Sequence, residues 1–297
     1  MSLNKITIQR LASDVKFLLN NSIENIHYMH SEESILKGYA LIIGNNDTPY
    51  SNGYFLFKFN FPENYPFSPP KLKDLTNDGK IRFNPNLYSD GKVCLSLLNT
   101  WKGEGWTSTQ TIYSILITLS SILNNKPLLN EPGINENNKN IEPYNLLINY
   151  KTIEISIINQ INFILNNKNT ETGETSETRK TRKSIESRET RESSKNKYIN
   201  ILLKFKNIII EDFKNNKNNI NNNINNLEKQ LISYSNTNNS NNTNNTNNSN
   251  NTNNSNNSNN SNSNNSNNSN IFINTYNLNY NLDINSLRIN LNKIKIE

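Results

Sequence analysis

Residues 82–98 read Arg82-Phe83-Asn84-Pro85-Asn86-Leu87-Tyr88-Ser89-Asp90-Gly91-Lys92-Val93-Cys94-Leu95-Ser96-Leu97-Leu98. Cys94 is the sole cysteine of the 297-residue chain, and apolar Val93 and Leu95 flank it. A lone cysteine is more often an inert, buried small hydrophobe than a nucleophile. An Asn-Pro-Asn turn stands upstream of it and Trp101-Lys102-Gly103-Glu104-Gly105-Trp106 follows.

Upstream of this segment, Tyr54-Phe55-Leu56-Phe57-Lys58-Phe59-Asn60-Phe61 carries Phe at every second position, the period of a strand with one continuously aromatic face. Ile23 to Met29 and Ile35 to Ile43 alternate less well but are rich in strand formers. Ile8, Leu11, Val15, Leu18 and Leu19 recur at helical spacing, so an amphipathic helix opens the chain and Asn20-Asn21 ends it. After the aromatic strand, Pro62-Glu63-Asn64-Tyr65-Pro66-Phe67-Ser68-Pro69-Pro70 excludes regular structure, because its prolines remove amide donors and restrict their neighbours. Lys71 to Leu75 reads as a fourth strand, turned at Asn77-Asp78-Gly79.

Together these motifs resemble the ubiquitin-conjugating enzymes. Their His-Pro-Asn motif places its Asn eight residues before the catalytic cysteine, the spacing of Asn86 and Cys94 here. Phe83 to Tyr88, Gly91 to Ser96, Thr100-Trp101, the loop to Trp106 and Asn130-Glu131-Pro132-Gly133 are similar to the Z type of that family. The resemblance covers roughly residues 5 to 166. It implies an α+β ubiquitin-conjugating (UBC) fold: an N-terminal helix, a four-stranded antiparallel meander, the active-site segment, then C-terminal helices.

On that resemblance, Cys94 accepts ubiquitin as a thioester. A thiolate is nucleophilic, and the thioester stays open to attack by an amine. Asn86 is the oxyanion-stabilising amide, and Asn84, Pro85, Leu95, Asn125 and Asn130 shape the site. Asn84 stands where most relatives carry His, and its amide serves the turn by bonding to local backbone. Phe67, Thr107 and Ser108 fall at positions that contact ligases, although relatives often read Ser-Pro-Ala after the second Trp. By alignment, Lys126 occupies a place that is acidic in many relatives. A cation is no base for an incoming lysine, so that task falls to Asn125, Asn130 or a ligase, or ubiquitin passes to a ligase cysteine.

Thr107-Ser108-Thr109-Gln110 reads as a capping box, followed by a helix with Ile112, Ile115, Leu116, Leu119, Ile122 and Leu123 on its apolar face. Glu142-Pro143-Tyr144 starts a further helix, apolar at Tyr144, Leu147, Ile148, Ile155, Ile158 and Ile161.

Composition divides the chain into a catalytic domain (1–168), a charged linker or frayed helix (169–198), a segment of regained hydrophobicity (199–234), an Asn/Ser/Thr tract (235–270) and an Asn-rich C-terminal tail (271–297). The 199–234 segment reads as a helix docking on the domain or on a partner, or else as an aggregation-prone strand. The tract has no packing capacity, so the Asn-rich tail is expected to be largely disordered, with the order of 271–297, where apolar residues alternate, left open.

Net charge is +6, yet residues 1–168 hold 15 basic and 14 acidic side chains, so no uniformly basic nucleic-acid surface is expected on the domain. The tail lacks the interleaved aromatics and arginines of single-strand binders. One cysteine excludes an intrachain disulfide. His27 and His30 are too few for a metal site. No signal-peptide run or membrane span is read, so a soluble cytoplasmic or nuclear protein is expected. The resemblance implies no cofactor, ATP being used by the activating enzyme, and as partners ubiquitin or a ubiquitin-like modifier, an activating enzyme, ligases and substrate proteins. The alternative is an inactive variant that binds ubiquitin or a partner; retention of Cys94 and Asn86 argues against it.

Overall fold

The computed structural model describes residues 4–167, 198–245 and 270–296. The charged linker therefore falls outside the described residues except for Tyr198, as does residue range 246–269 of the Asn/Ser/Thr tract.

Helix α1 (Lys5–Asn20) is capped by Asn4, whose Oδ1 accepts from the Ile6 amide. Its buried side chains are Thr7, Leu11 and Asp14, while Ile8 and Leu19 of the expected apolar face are exposed, Leu19 by 78%. The helix is turned by polar contacts that apolar periodicity cannot register. Thr7 Oγ1 donates to the carbonyls of Glu63 (2.7 Å) and Tyr65 (2.8 Å) in the Pro-rich loop. Asp14 accepts from the Tyr65 hydroxyl and from Arg10 Nε.

Strands β1 (Ile26–His30), β2 (Lys37–Ile43), β3 (Tyr54–Asn60) and β4 (Lys71–Asp74) form the expected antiparallel meander in sequence order. Tyr54 pairs with Ile43, Leu56 with Leu41 and Phe57 with Asp74. Both faces of β3 are closed, since Tyr54, Phe55, Leu56, Phe57 and Phe59 are all fully buried. Phe55 meets Tyr50 and Phe83 edge-on, on the side that carries the Asn-Pro-Asn turn.

Helix α2 (Ile112–Ile122) buries the expected face, but its capping box is Thr111 with Ser114. Thr107 instead bonds Thr109 (2.7 Å). The reason lies in α1, because Arg10 donates to the Ser108 and Gln110 carbonyls and holds these residues as a loop. Helix α3 (Ile141–Lys151) continues through a wide π-helical stretch (Thr152–Asn159) into α4 (Gln160–Asn166). The π stretch abuts Gly53, where an added Cβ would lie 2.5 Å from Ser156 Oγ and 2.6 Å from Thr152 Cγ2.

The C-terminal part joins the same core. Residues 198–204 are helical, and α5 (Lys206–Asn245) extends into the first residues of the Asn/Ser/Thr tract. Its stripe of Ile209, Phe213, Ile220, Ile224, Leu227 and Leu231 is buried. Asn149 of α3 and Asn223 of α5 exchange amide hydrogen bonds of 3.0 Å in both directions. The Tyr54 hydroxyl donates to Asp212 (3.0 Å), which puts α5 over the sheet face opposite Phe55. Strands β5 (Asn270–Thr275) and β6 (Leu278–Asp283) form a hairpin, and α6 (Ile284–Lys293) returns to α5 through Arg288 and Glu228.

Candidate active site

The Asn-Pro-Asn turn is built by its own side chains. Asn84 is fully buried; its Oδ1 accepts the Asn86 amide (2.9 Å), and its Nδ2 donates to the Ile122 carbonyl at the end of α2 (2.7 Å) and to the Tyr50 hydroxyl (3.2 Å). Asn130 reaches the same centre, its Nδ2 lying 3.2 Å from the Ile122 carbonyl and 3.4 Å from Asn84 Oδ1. The chain then folds back: the Cys94 amide donates to the Asn86 carbonyl (2.9 Å), and Asn86 Nδ2 donates to the Cys94 carbonyl (2.7 Å). Asn86 and Cys94 are thus locked together by two hydrogen bonds. One hydrogen of the amide expected to face an oxyanion is spent on the backbone of the cysteine itself.

Cys94 is 2% exposed. Leu95 beside it is buried, and its amide donates to Thr100 Oγ1 (2.9 Å), which closes the loop behind the cysteine. Asn99, in the left-handed region at φ 59°, accepts the Trp106 amide on its Oδ1 (2.8 Å). Trp106 is a half-buried anchor, packing near Tyr65 and donating from Nε1 to the Pro66 carbonyl (2.6 Å).

That contact unites one end of the molecule. Phe67 is 62% exposed at the tip of the Pro-rich loop, Thr107 and Ser108 are exposed beside Trp106, and Arg10 and Thr7 of α1 hold both loops. Asn125, by contrast, is not among the contacts of the Asn84–Cys94 turn. Its carbonyl accepts from Asn145 (2.9 Å), and it lines an open groove of about 990 Å³ together with Asn46, Asn149 and Asn223.

Lys126 points to Glu136 on the surface (2.9 Å). The carboxylate that approaches the turn is Glu131, which sequence reasoning passed over. Arg82 Nη2 donates both to the Pro85 carbonyl and to Glu131 Oε2 (3.4 Å). Its guanidinium stacks over Tyr88 (4.2 Å to the ring centroid), and its own carbonyl accepts from Tyr144 (2.9 Å). The acidic residue directly before a proline in Glu131-Pro132 was the available signal. Among the described residues no three His, Cys, Asp or Glu gather as a metal site, and no helix is long and apolar enough to cross a membrane. His30 is satisfied within the sheet by the Tyr28 hydroxyl and the Ile35 carbonyl.

A helix, a four-stranded meander, an Asn-Pro-Asn turn and a cysteine eight residues on, closed by further helices, define a ubiquitin-conjugating domain. Residues 10–151 match the family model described as ubiquitin-conjugating enzyme, so this stretch of the chain carries a domain of that type. It is 36% identical over 153 residues to ubiquitin-conjugating enzyme E2 Z of Xenopus tropicalis, covering 50% of this chain and 49% of that protein. The human E2 Z is 37% identical over 151 residues, covering 50% of this chain and 43% of that protein. The human dual E2 ubiquitin-conjugating enzyme/E3 ubiquitin-protein ligase BIRC6 is 51% identical over 100 residues, which are 32% of this chain and 2% of that protein. The chain thus spans about half the length of these E2 Z relatives.

Proposed function

We propose that this chain is a thioester carrier for ubiquitin or a related modifier, with Cys94 as nucleophile. The observation that carries the reading is the reciprocal pairing of Asn86 and Cys94, which fixes the Asn86 amide against the backbone of the cysteine. In charging, the Cys94 thiolate attacks the thioester carbonyl held by an activating enzyme. A new C–S bond forms, and the activating enzyme's sulfur leaves with the electron pair. In discharge a lysine amine attacks, the C–N bond forms, Cys94 departs as thiolate, and the amine gives up a proton. A ligase cysteine is the other acceptor, by a second thiol exchange. The second hydrogen of the Asn86 amide serves the oxyanion that forms when the lysine amine attacks. ATP chemistry belongs to the activating enzyme, so no cofactor is assigned to this chain. Phe67, Thr107 and Ser108 form the surface offered to ligases, and the cytoplasm or nucleus is the compartment that fits a reduced thiol.

The test is a charging assay with ubiquitin, ATP and each of two activating enzymes. We expect a reductant-sensitive adduct that is absent in Cys94→Ser. With Asn86→Ala we expect charging to persist while discharge onto lysine falls about 100-fold, the loss typical of removing one oxyanion donor. Folded protein that forms no adduct with either activating enzyme overturns the reading.

A further inference from the structure

The hairpin of β5 and β6 reaches the active-site turn from the far end of the chain. Its two-residue tip, Tyr276-Asn277, stands in the left-handed region (φ 45° and 61°), a conformation that side chains other than glycine adopt at a cost. Thr275 is buried and donates to the Asn140 carbonyl (3.1 Å), which seats the tip at the start of α3. The Tyr276 ring meets Tyr144 edge-on (6.0 Å between centroids). The Arg82 guanidinium lies 5.8 Å from the centroid of the Tyr276 ring and 4.2 Å from that of Tyr88. The Tyr276 hydroxyl accepts from Arg82 Nη1 (3.5 Å).

Arg82 therefore has two aromatic rings within cation–π range. One of its nitrogens is shared between the Pro85 carbonyl and Glu131, and its buried Nε has no hydrogen-bond partner among the described residues. A guanidinium free to turn would take Glu131 in bidentate fashion with its planar fork and release the Pro85 carbonyl. Something else must hold the shared arrangement, and the two rings of Tyr88 and Tyr276 are the groups placed to do so.

We propose that Tyr276 is a positioning residue of the active site: the C-terminal hairpin sets Arg82 so that it braces the Asn84–Asn86 turn and places Glu131 beside it for the incoming amine. This rests on the thioester-carrier reading above. It adds a part of the chain that lies beyond residue 151, where the family match ends. The reaction affected is aminolysis, because charging asks only for the thiol, whereas discharge asks for a placed amine and a carboxylate to hold its proton.

The test uses the full chain and measures two rates, charging of Cys94 and discharge onto free lysine at saturating lysine. Tyr276→Leu keeps apolar bulk but has no ring face; Tyr276→Phe keeps the ring. We expect Tyr276→Leu to charge at the wild-type rate and to discharge about tenfold more slowly, since small displacements of positioned groups cost this much or more. The lysine concentration for half-maximal rate should stay unchanged, and Tyr276→Phe should recover to within about twofold because the cation–π support survives. The proposal is overturned if Tyr276→Leu discharges like wild type, if charging and discharge fall together, or if Tyr276→Phe is as slow as Tyr276→Leu. A wild-type chain that never charges overturns the carrier reading itself, a result distinguishable from all three.

Discussion

Asn84 shows what one buried amide does for this site. It replaces the family's usual His, and its Oδ1 and Nδ2 join the turn to the end of α2 and to Tyr50. Asn84→Ala leaves the Asn86 amide without its acceptor, at a cost of about 1–3 kcal/mol for each buried group left unsatisfied. We expect a lower urea midpoint with an unchanged slope, and slower discharge onto lysine. Asp74 makes the opposite contribution. Burial pushes its carboxyl up to about 7, although the Thr76 amide and Asn77 favour the charged form. The folded state thus holds a proton that the unfolded chain releases near its ordinary value of 3.8. Stability from this group is present at the acid end and is lost as pH rises between about 4 and about 7, at most about 1.4 kcal/mol per pH unit. Asp74→Asn should flatten that slope in denaturation midpoints measured from pH 4.5 to 7.5.

At the scale of elements, α1 acts as a clamp. Apolar periodicity located the helix, but Thr7, Arg10 and Asp14 set its rotation, because each has partners on loops some 50 to 100 residues away. The same contacts move the start of α2 from Thr107 to Thr111. Thr107 with Gln110 has the sequence of a box, but the Arg10 contacts to Ser108 and Gln110 hold that stretch as a loop, and Thr111 with Ser114 caps the helix instead. Arg10→Ala should cost about 1.5–3 kcal/mol, the range for hydrogen bonds to a charged group. Arg10→Lys should recover little, because a point charge cannot span two carbonyls as the fork does. Thermal unfolding of the three proteins measures both effects.

For the whole molecule, the C-terminal half is part of the domain's packing. Tyr54 and Leu56, with Ile43 and Leu41 across the register, form the sheet face under α5, and the 198–231 side chains enter the common core. A chain ended at residue 197 would expose that face, and large apolar patches on a soluble domain drive association. We expect such a chain to bind a hydrophobic dye, to melt at lower temperature and to self-associate in sedimentation, relative to the full chain.

The sequence by itself determined the meander, the turn, the cysteine and the apolar faces of α2 and of the helical run from Tyr144 to Ile161. Those signals are local: alternation, periodicity and proline punctuation act within a few residues. Tertiary structure decided the rest. Glu131, rather than Lys126 or Asn125, comes to the Asn-Pro-Asn turn because Arg82 draws it there, and Tyr276 reaches the same point across almost 200 residues. The apolar stripe of α5 was legible, but its seat on the sheet was not. A stripe specifies that a face must be buried, and only the surface it meets specifies where.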